Sequence, residues 1–130
     1  MTQTESPYPD IEVYIRGIST RAIKEWVEQL SESPVDWSTR GKTLLGTSTL
    51  GGHSIPVHVI EEACEGYHCL WWESDKTPWK TDLDCAREVF KALGGTVRCS
   101  LGSWSGQPDD AGWMEISSDG ERTIQWDNPA

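Results

Sequence analysis

The sequence predicts an α+β fold. We expect a two-layer sandwich with a ferredoxin-like core, in which two helices cover one face of a mostly antiparallel sheet and extra hairpin strands widen it. Three observations predict this fold. Seven segments have the alternation or β-branched content of strands, and two have the period of helices. These segments follow the order β-α-β-β-β-α-β-β-β, and the 130 residues have the length of one domain, 1–130.

The first half of the chain predicts a strand, a helix and a hairpin. The strand alternates apolar and other residues up to Gly17, with its apolar positions at Ile11, Val13 and Ile15. Ser19 or Thr20 can cap a helix whose apolar residues recur at helical spacing: Ala22, Ile23, Trp26, Val27 and Leu30. Residues 35–41 are predicted as a loop. Gly51-Gly52 predicts a hairpin turn, and Pro56 predicts an open edge or a bulge in its second arm.

The second half predicts a central strand, a second helix and a final hairpin. Residues 67–73 are apolar on both faces, as in the middle of a sheet. Thr81 can cap a helix that runs to Leu93, where Gly94-Gly95 predicts its end. A strand at 96–101 follows, then a loop at 102–112. Asp119-Gly120 predicts a hairpin turn between the last two strands.

The charge narrows the classes of function. Asp and Glu number 21 against 11 Lys and Arg, for a net charge of −10. Such a chain repels phosphate backbones and anionic membranes, so we expect neither nucleic acid nor membrane as a partner. Residues 1–9 lack the basic start and apolar middle of a signal peptide. We therefore predict a flexible N-terminal segment at 1–9 and a cytoplasmic protein.

The sequence contains few patterns that indicate catalysis or metal binding. The chain has no GxGxxG, P-loop, HExxH or EF-hand motif, so we predict no catalytic residues and no cofactor. The four cysteines have no CxxC spacing. Two thiols and an imidazole within six residues nevertheless make a candidate start of a zinc site, at Cys64, His68 and Cys69.

Tryptophan is the more informative residue, with eight copies against a single Phe. If both helices cover one face, the other face of the sheet carries aromatic side chains, and Trp and Tyr are common anchors of interfaces. Trp71 and Trp72 must point to opposite sides, and we take Trp72 as the outward one. The predicted binding residues are Tyr14, His58, Trp72, Trp79, Trp104 and Trp113. Alternatively, the 102–112 loop or the termini cover this face.

Two functions remain open. The first is a small, acidic, non-catalytic protein that acts through protein contact, such as an immunity-like or antitoxin-like binder or an accessory factor. Its partner is a second copy or a basic protein. The alternative is a small-molecule-binding protein or an enzyme, with a pocket lined by His68, Asp75, Trp79 and Trp104.

One resemblance covers about a quarter of the chain. Residues 75–79, 82–87 and 97–100 have the sequences DKTPW, DLDCAR and VRCS. Together they resemble a pattern found in small uncharacterised bacterial proteins. The resemblance implies no activity.

Overall fold

A computed structural model describes residues 9–101 and 112–126. Between these bounds the chain forms two helices, α1 (Thr20–Leu30) and α2 (Asp82–Leu93). It also forms eight strands: β1 (Ile11–Arg16), β2 (Ser38–Arg40), β3 (Thr43–Leu50), β4 (His53–Cys64), β5 (Tyr67–Trp72), β6 (Thr96–Ser100), β7 (Trp113–Ser117) and β8 (Gly120–Ile124).

The strands form one sheet in the order β2-β3-β4-β5-β1-β6-β7-β8, and each neighbouring pair is antiparallel. The doubly apolar strand β5 lies between β4 and β1, as its composition predicts. The two predicted hairpin turns, at Gly51-Gly52 and before Gly120, are also confirmed. The centre of the sheet is therefore built from strands distant in sequence.

The prediction of a ferredoxin-like core, in which two helices cover one face of the sheet, is wrong. Of the described residues, 46% lie in strands and 21% in helices, and the main feature is one continuous eight-stranded antiparallel sheet. Two helices side by side span about 20 Å. Eight strands span roughly 34 Å between their outermost axes. The helices are therefore too few to form a layer that matches the sheet.

Both helices begin at the caps that the sequence predicts. The hydroxyl of Ser19 accepts the N–H of Ala22, and the hydroxyl of Thr81 accepts the N–H of Asp84. The buried side chains of both helices join the larger hydrophobic cluster of the molecule, together with alternate residues of the sheet. This cluster defines the helix side of the sheet. It includes Ile11, Val13, Ile15, Trp26, Val57, Val59, Leu70, Trp72, Trp79 and Val89.

Two local predictions need correction. Residues 35–41 contain the short strand β2, which pairs with β3, where we predicted only a loop. Pro56 lies on β4 between β3 and β5 and not at an open edge. Its carbonyl accepts the N–H of Glu73, so the missing proline donor leaves the pairing intact. The irregularity of β4 comes later, between Ile60 and Cys64.

Some predictions lie outside the described residues. These are the N-terminal segment up to residue 8 and the 102–112 loop up to residue 111, which includes Trp104. Among the residues that are described, no helix has the length and apolar character needed to cross a membrane.

Candidate functional site

The side of the sheet away from the larger cluster carries a second, smaller hydrophobic cluster. We call this side the second face. Its buried members are Tyr14, Tyr67, Cys69 and Trp126, and its half-buried members are Ile60, Cys64, Trp71, Trp113 and Ile124. The pleat places Tyr14, Ile60, Cys69, Trp71 and Trp113 here, because each is adjacent along its strand to a residue packed in the larger cluster. The second face is thus rich in aromatic rings.

One part of the second face is covered by the chain itself, and we call it the closed half. The ring of Trp126 lies 5.0 Å from that of Trp113, 5.4 Å from Tyr14 and 5.1 Å from Tyr67. Its indole N–H donates to Glu65 at 3.0 Å. Trp126 is only 9% exposed, so the segment after β8 seals this part of the face.

Arginine side chains complete the closed half. Arg98 lies over the rings of Tyr67 and Trp126, at 4.8 and 4.6 Å from their centroids. It donates to Glu115, which also accepts from Arg122 at 2.9 Å. Burial raises the pKa of Glu115, but the hydrogen bonds from the two arginines outweigh it and hold the pKa below its usual value. The buried charge is therefore compensated.

The rest of the second face lies on β3, β4 and β5, and we call it the open half. In register across these strands lie Leu45, His58 and Trp71, with Ile60 in the next row. The His58 ring stacks on Trp71, with centroids 4.3 Å apart. Leu45 is 39% exposed and is the one large exposed hydrophobic residue in the described part of the chain. This half therefore presents apolar and aromatic surface to solvent.

Carboxylates border the open half. Asp10 accepts the indole N–H of Trp71 at 2.8 Å, and Glu73 Oε1 lies 2.9 Å from His58 Nε2. Glu12 lies opposite Trp71 on β1 and accepts from the hydroxyl of Tyr14 at 3.1 Å. We call Asp10, Glu12 and Glu73 the acidic rim.

A fourth carboxylate lies beneath this rim. Asp82, the first residue of α2, is buried, and its Oδ1 accepts the backbone N–H of Glu12 at 3.0 Å. Burial is the main cause that raises the pKa of Asp82 to about 8; the N–H of Glu12 opposes the rise, and the carboxylates of Glu12 and Asp10 add to it. With this pKa, Asp82 is largely protonated at neutral pH.

Three predicted binding residues lie on the second face, namely Tyr14, His58 and Trp113. The choice of Trp72 is wrong, because Trp72 is fully buried against Trp26 and Trp79 on the helix side. Its neighbour Trp71 takes the outward place. Trp79 is also buried, and its indole N–H donates to Glu88.

Sequence reasoning missed three residues of the second face: Leu45, Trp71 and Trp126. The alternation of Leu45 with Gly46 and Ser48 on β3 offered a signal for the first. Trp126 lies on the second face, as Ile124 does.

The cysteines are poor candidates for nucleophiles or ligands. Burial is the main cause that raises the pKa of Cys69, Cys85 and Cys99, so these thiols stay protonated. His68 and Cys69 point to opposite sides of β5, and Nδ1 of His68 accepts the N–H of Glu62. Within 9–101 and 112–126, no group of three or more His, Cys, Asp or Glu side chains is arranged to hold a metal ion.

A cleft of about 600 Å³ lies on the other side of the molecule, along α2. Trp26, Arg87, Glu88 and Lys91 are among its lining residues. This is not the pocket that the sequence predicted. Trp79, which was to line that pocket, is closed off in the core, and Trp104 lies outside the described residues.

Comparisons with known proteins give no match. No protein-family model, no curated protein and no solved structure matches the chain.

Proposed function

We propose that this protein acts through contact with another protein, and that the open half of the second face makes the contact. The observation that carries the proposal is the exposed Leu45 beside the stacked pair His58 and Trp71. Contiguous apolar surface is typical of interaction sites, and a half-buried Trp is a frequent anchor.

The geometry gives less support to the small-molecule alternative. Trp79, one of the two tryptophans that were to line its pocket, packs in the core, and the raised pKa values of the buried thiols disfavour cysteine nucleophiles. The open half, in contrast, is the face of three paired strands, β3, β4 and β5. Surfaces of this kind recognise macromolecules better than metabolites.

Photo-crosslinking in the producing cells tests the proposal. A photoreactive amino acid replaces Leu45 in one variant and the exposed Glu25 of α1 in a matched control. We expect a discrete covalent adduct from position 45 and none from position 25. The adduct at position 45 is expected to disappear when Trp71→Ala is added. Equal adducts from both positions, or none from position 45, would contradict the proposal.

The mass of the adduct identifies the partner class. Twice the mass of the chain indicates a second copy, and any other discrete mass indicates a different protein. Either result supports a contact surface only if it depends on Trp71, because an accidental collision does not need that side chain.

A further inference from the structure

The acidic rim has an imbalance of charge that the fold does not resolve. In the described part of the chain, neither Asp10 nor Glu12 forms an ion pair with a Lys or Arg side chain. Glu115, the buried carboxylate of the closed half, forms ion pairs with Arg98 and Arg122. The two halves of the same face therefore differ: the closed half compensates its carboxylate, and the open half does not.

The strands of the open half bring no Lys or Arg of the second face close to Trp71. On strands β2 to β5, the basic residue whose register places it on the second face is Arg40 of the outer strand. Three strand spacings, about 14 Å, separate that strand from Trp71. Arg16 and Arg98 belong to the closed half, where both lie over the ring of Tyr67.

The surroundings of Trp71 combine two features that recognise cations. Its indole N–H is directed to Asp10, and Glu12 lies opposite it on β1. Indole rings attract guanidinium groups, and carboxylates bind them with paired hydrogen bonds. Arginine suits such a half-buried place better than lysine, because its guanidinium is more weakly hydrated.

We infer that the partner of the open half is a basic protein segment, and that an arginine of this segment binds against Trp71 within the acidic rim. The inference rests on the proposed function and adds the chemistry of the partner. The apolar side chains beside Leu45 receive the apolar part of the segment, and Asp10, Glu12 and Glu73 receive its charge.

A peptide titration tests the inference. The probe is a blocked peptide of alternating Arg and Leu, and its control is the same peptide with citrulline, which keeps the shape of arginine without the charge. Binding is followed by calorimetry and by the NMR signal of the Trp71 indole N–H, at about 0.15 M salt so that distant charges are screened. We expect the Arg peptide to bind at least about tenfold more tightly than the citrulline peptide.

Two charge-matched variants separate the site from the net charge. Asp10→Asn with Glu73→Gln removes two charges of the acidic rim, and Asp36→Asn with Asp119→Asn removes two exposed charges elsewhere. We expect the first variant to weaken the Arg peptide about tenfold and the second by no more than about twofold. All four substitutions keep the size of the side chain, and circular dichroism checks that both proteins fold.

An equal loss in the two variants would overturn the inference, because it would mean attraction by the net charge of −10 alone. A failure of the Arg peptide to shift the Trp71 signal would also overturn it. If the Leu45 photo-adduct persists in that case, the proposed function stands and only the basic partner is excluded. If the adduct is absent as well, both proposals fail.

Discussion

The two sides of the sheet both rely on tryptophan, but they place it in different environments. On the helix side, Trp26, Trp72 and Trp79 pack against one another, with ring centroids 5.1 to 6.5 Å apart, and no more than 6% of any of them is exposed. On the second face, Trp71 and Trp113 are half-buried. Tryptophan therefore fills the core on the helix side, whereas Trp71 and Trp113 stay partly exposed on the second face.

The composition has two unusual features, the preference for Trp over Phe and the excess of acidic residues, and hydrogen bonds link them. Four indole N–H groups donate to carboxylates at 2.8 to 3.0 Å: Trp37 to Glu28, Trp71 to Asp10, Trp79 to Glu88 and Trp126 to Glu65. Phenylalanine offers a ring but no donor. In these four contacts, tryptophan supplies a donor that phenylalanine lacks, and an acidic residue supplies the acceptor.

The largest expected effect distinguishes the adjacent residues Trp72 and Trp71. Trp72→Ala should lower the free energy of unfolding by about 3–5 kcal/mol, because it empties a fully enclosed site. Trp71→Ala should cost about 1–2 kcal/mol, since its ring is half-buried and neighbouring side chains can move. Urea denaturation of both variants measures the difference. Equal losses would mean that the two faces are equally closed.

The next effect concerns the cover of the closed half. Trp126→Ala should cost about 2–3 kcal/mol, because it removes the ring that packs on Tyr14, Tyr67 and Trp113. Trp126→Phe keeps a ring and loses the bond to Glu65, so its cost should be about 1 kcal/mol. Thermal denaturation provides the measurement. A neutral Trp126→Ala would show that the segment does not seal this half.

The pH dependence of stability tests the raised pKa of Asp82, which lies beneath the acidic rim. Because the pKa of Asp82 is raised from 3.8 to about 8, the folded protein binds a proton between these pH values that the unfolded chain releases. The free energy of unfolding should therefore fall as pH rises through this window. Below the lower pKa of 3.8, Asp82 should add no pH dependence. Asp82→Asn should remove this loss.

Urea denaturation at about pH 5 and about pH 8 measures this effect. Relative to the wild type, Asp82→Asn should gain about 3–4 kcal/mol of stability between the two pH values, at about 1.36 kcal/mol for each pH unit. The matched control is Asp84→Asn, at an exposed position of the same helix, for which we expect no such gain. A constant difference between the Asp82 variant and the wild type would show that Asp82 is ionised throughout.

The smallest expected effect on stability is at the open half itself. Leu45→Ser should change the free energy of unfolding by less than about 0.5 kcal/mol, because the side chain is exposed. It should nevertheless weaken binding of the Arg-Leu peptide about tenfold, as expected for an anchor of a contact surface. Calorimetry measures the binding. A large loss of stability with unchanged binding would assign Leu45 to the core.

The local elements could be predicted from the sequence, since each depends on neighbouring residues. The alternation in β1, the caps at Ser19 and Thr81 and the two glycine turns all lie where the pattern indicates. The strand β2 could not be predicted, because all three of its residues are exposed and show no alternation. Pairing with β3 decides its conformation.

The candidate site depends on register, which no single strand contains. Residues 67–72 are apolar on both sides, so the pattern alone cannot decide between Trp71 and Trp72. The choice follows from the pairing of Trp72 with Ile11 and Val57, which places it among helix-side residues. Likewise, Trp126 follows the last strand, and its position depends on the direction of the chain beyond Ile124.

The most direct test of the account is the solvent accessibility of Leu45 and Trp71 in the monomeric protein. A soluble paramagnetic probe broadens the NMR signals of exposed groups, and single Trp→Phe variants assign the indole signals. The account predicts strong broadening of the Leu45 methyl groups, intermediate broadening of Trp71 and none of Trp72. If Leu45 and Trp71 were as protected as Trp72, the open half would be closed, and the proposed contact surface would be contradicted.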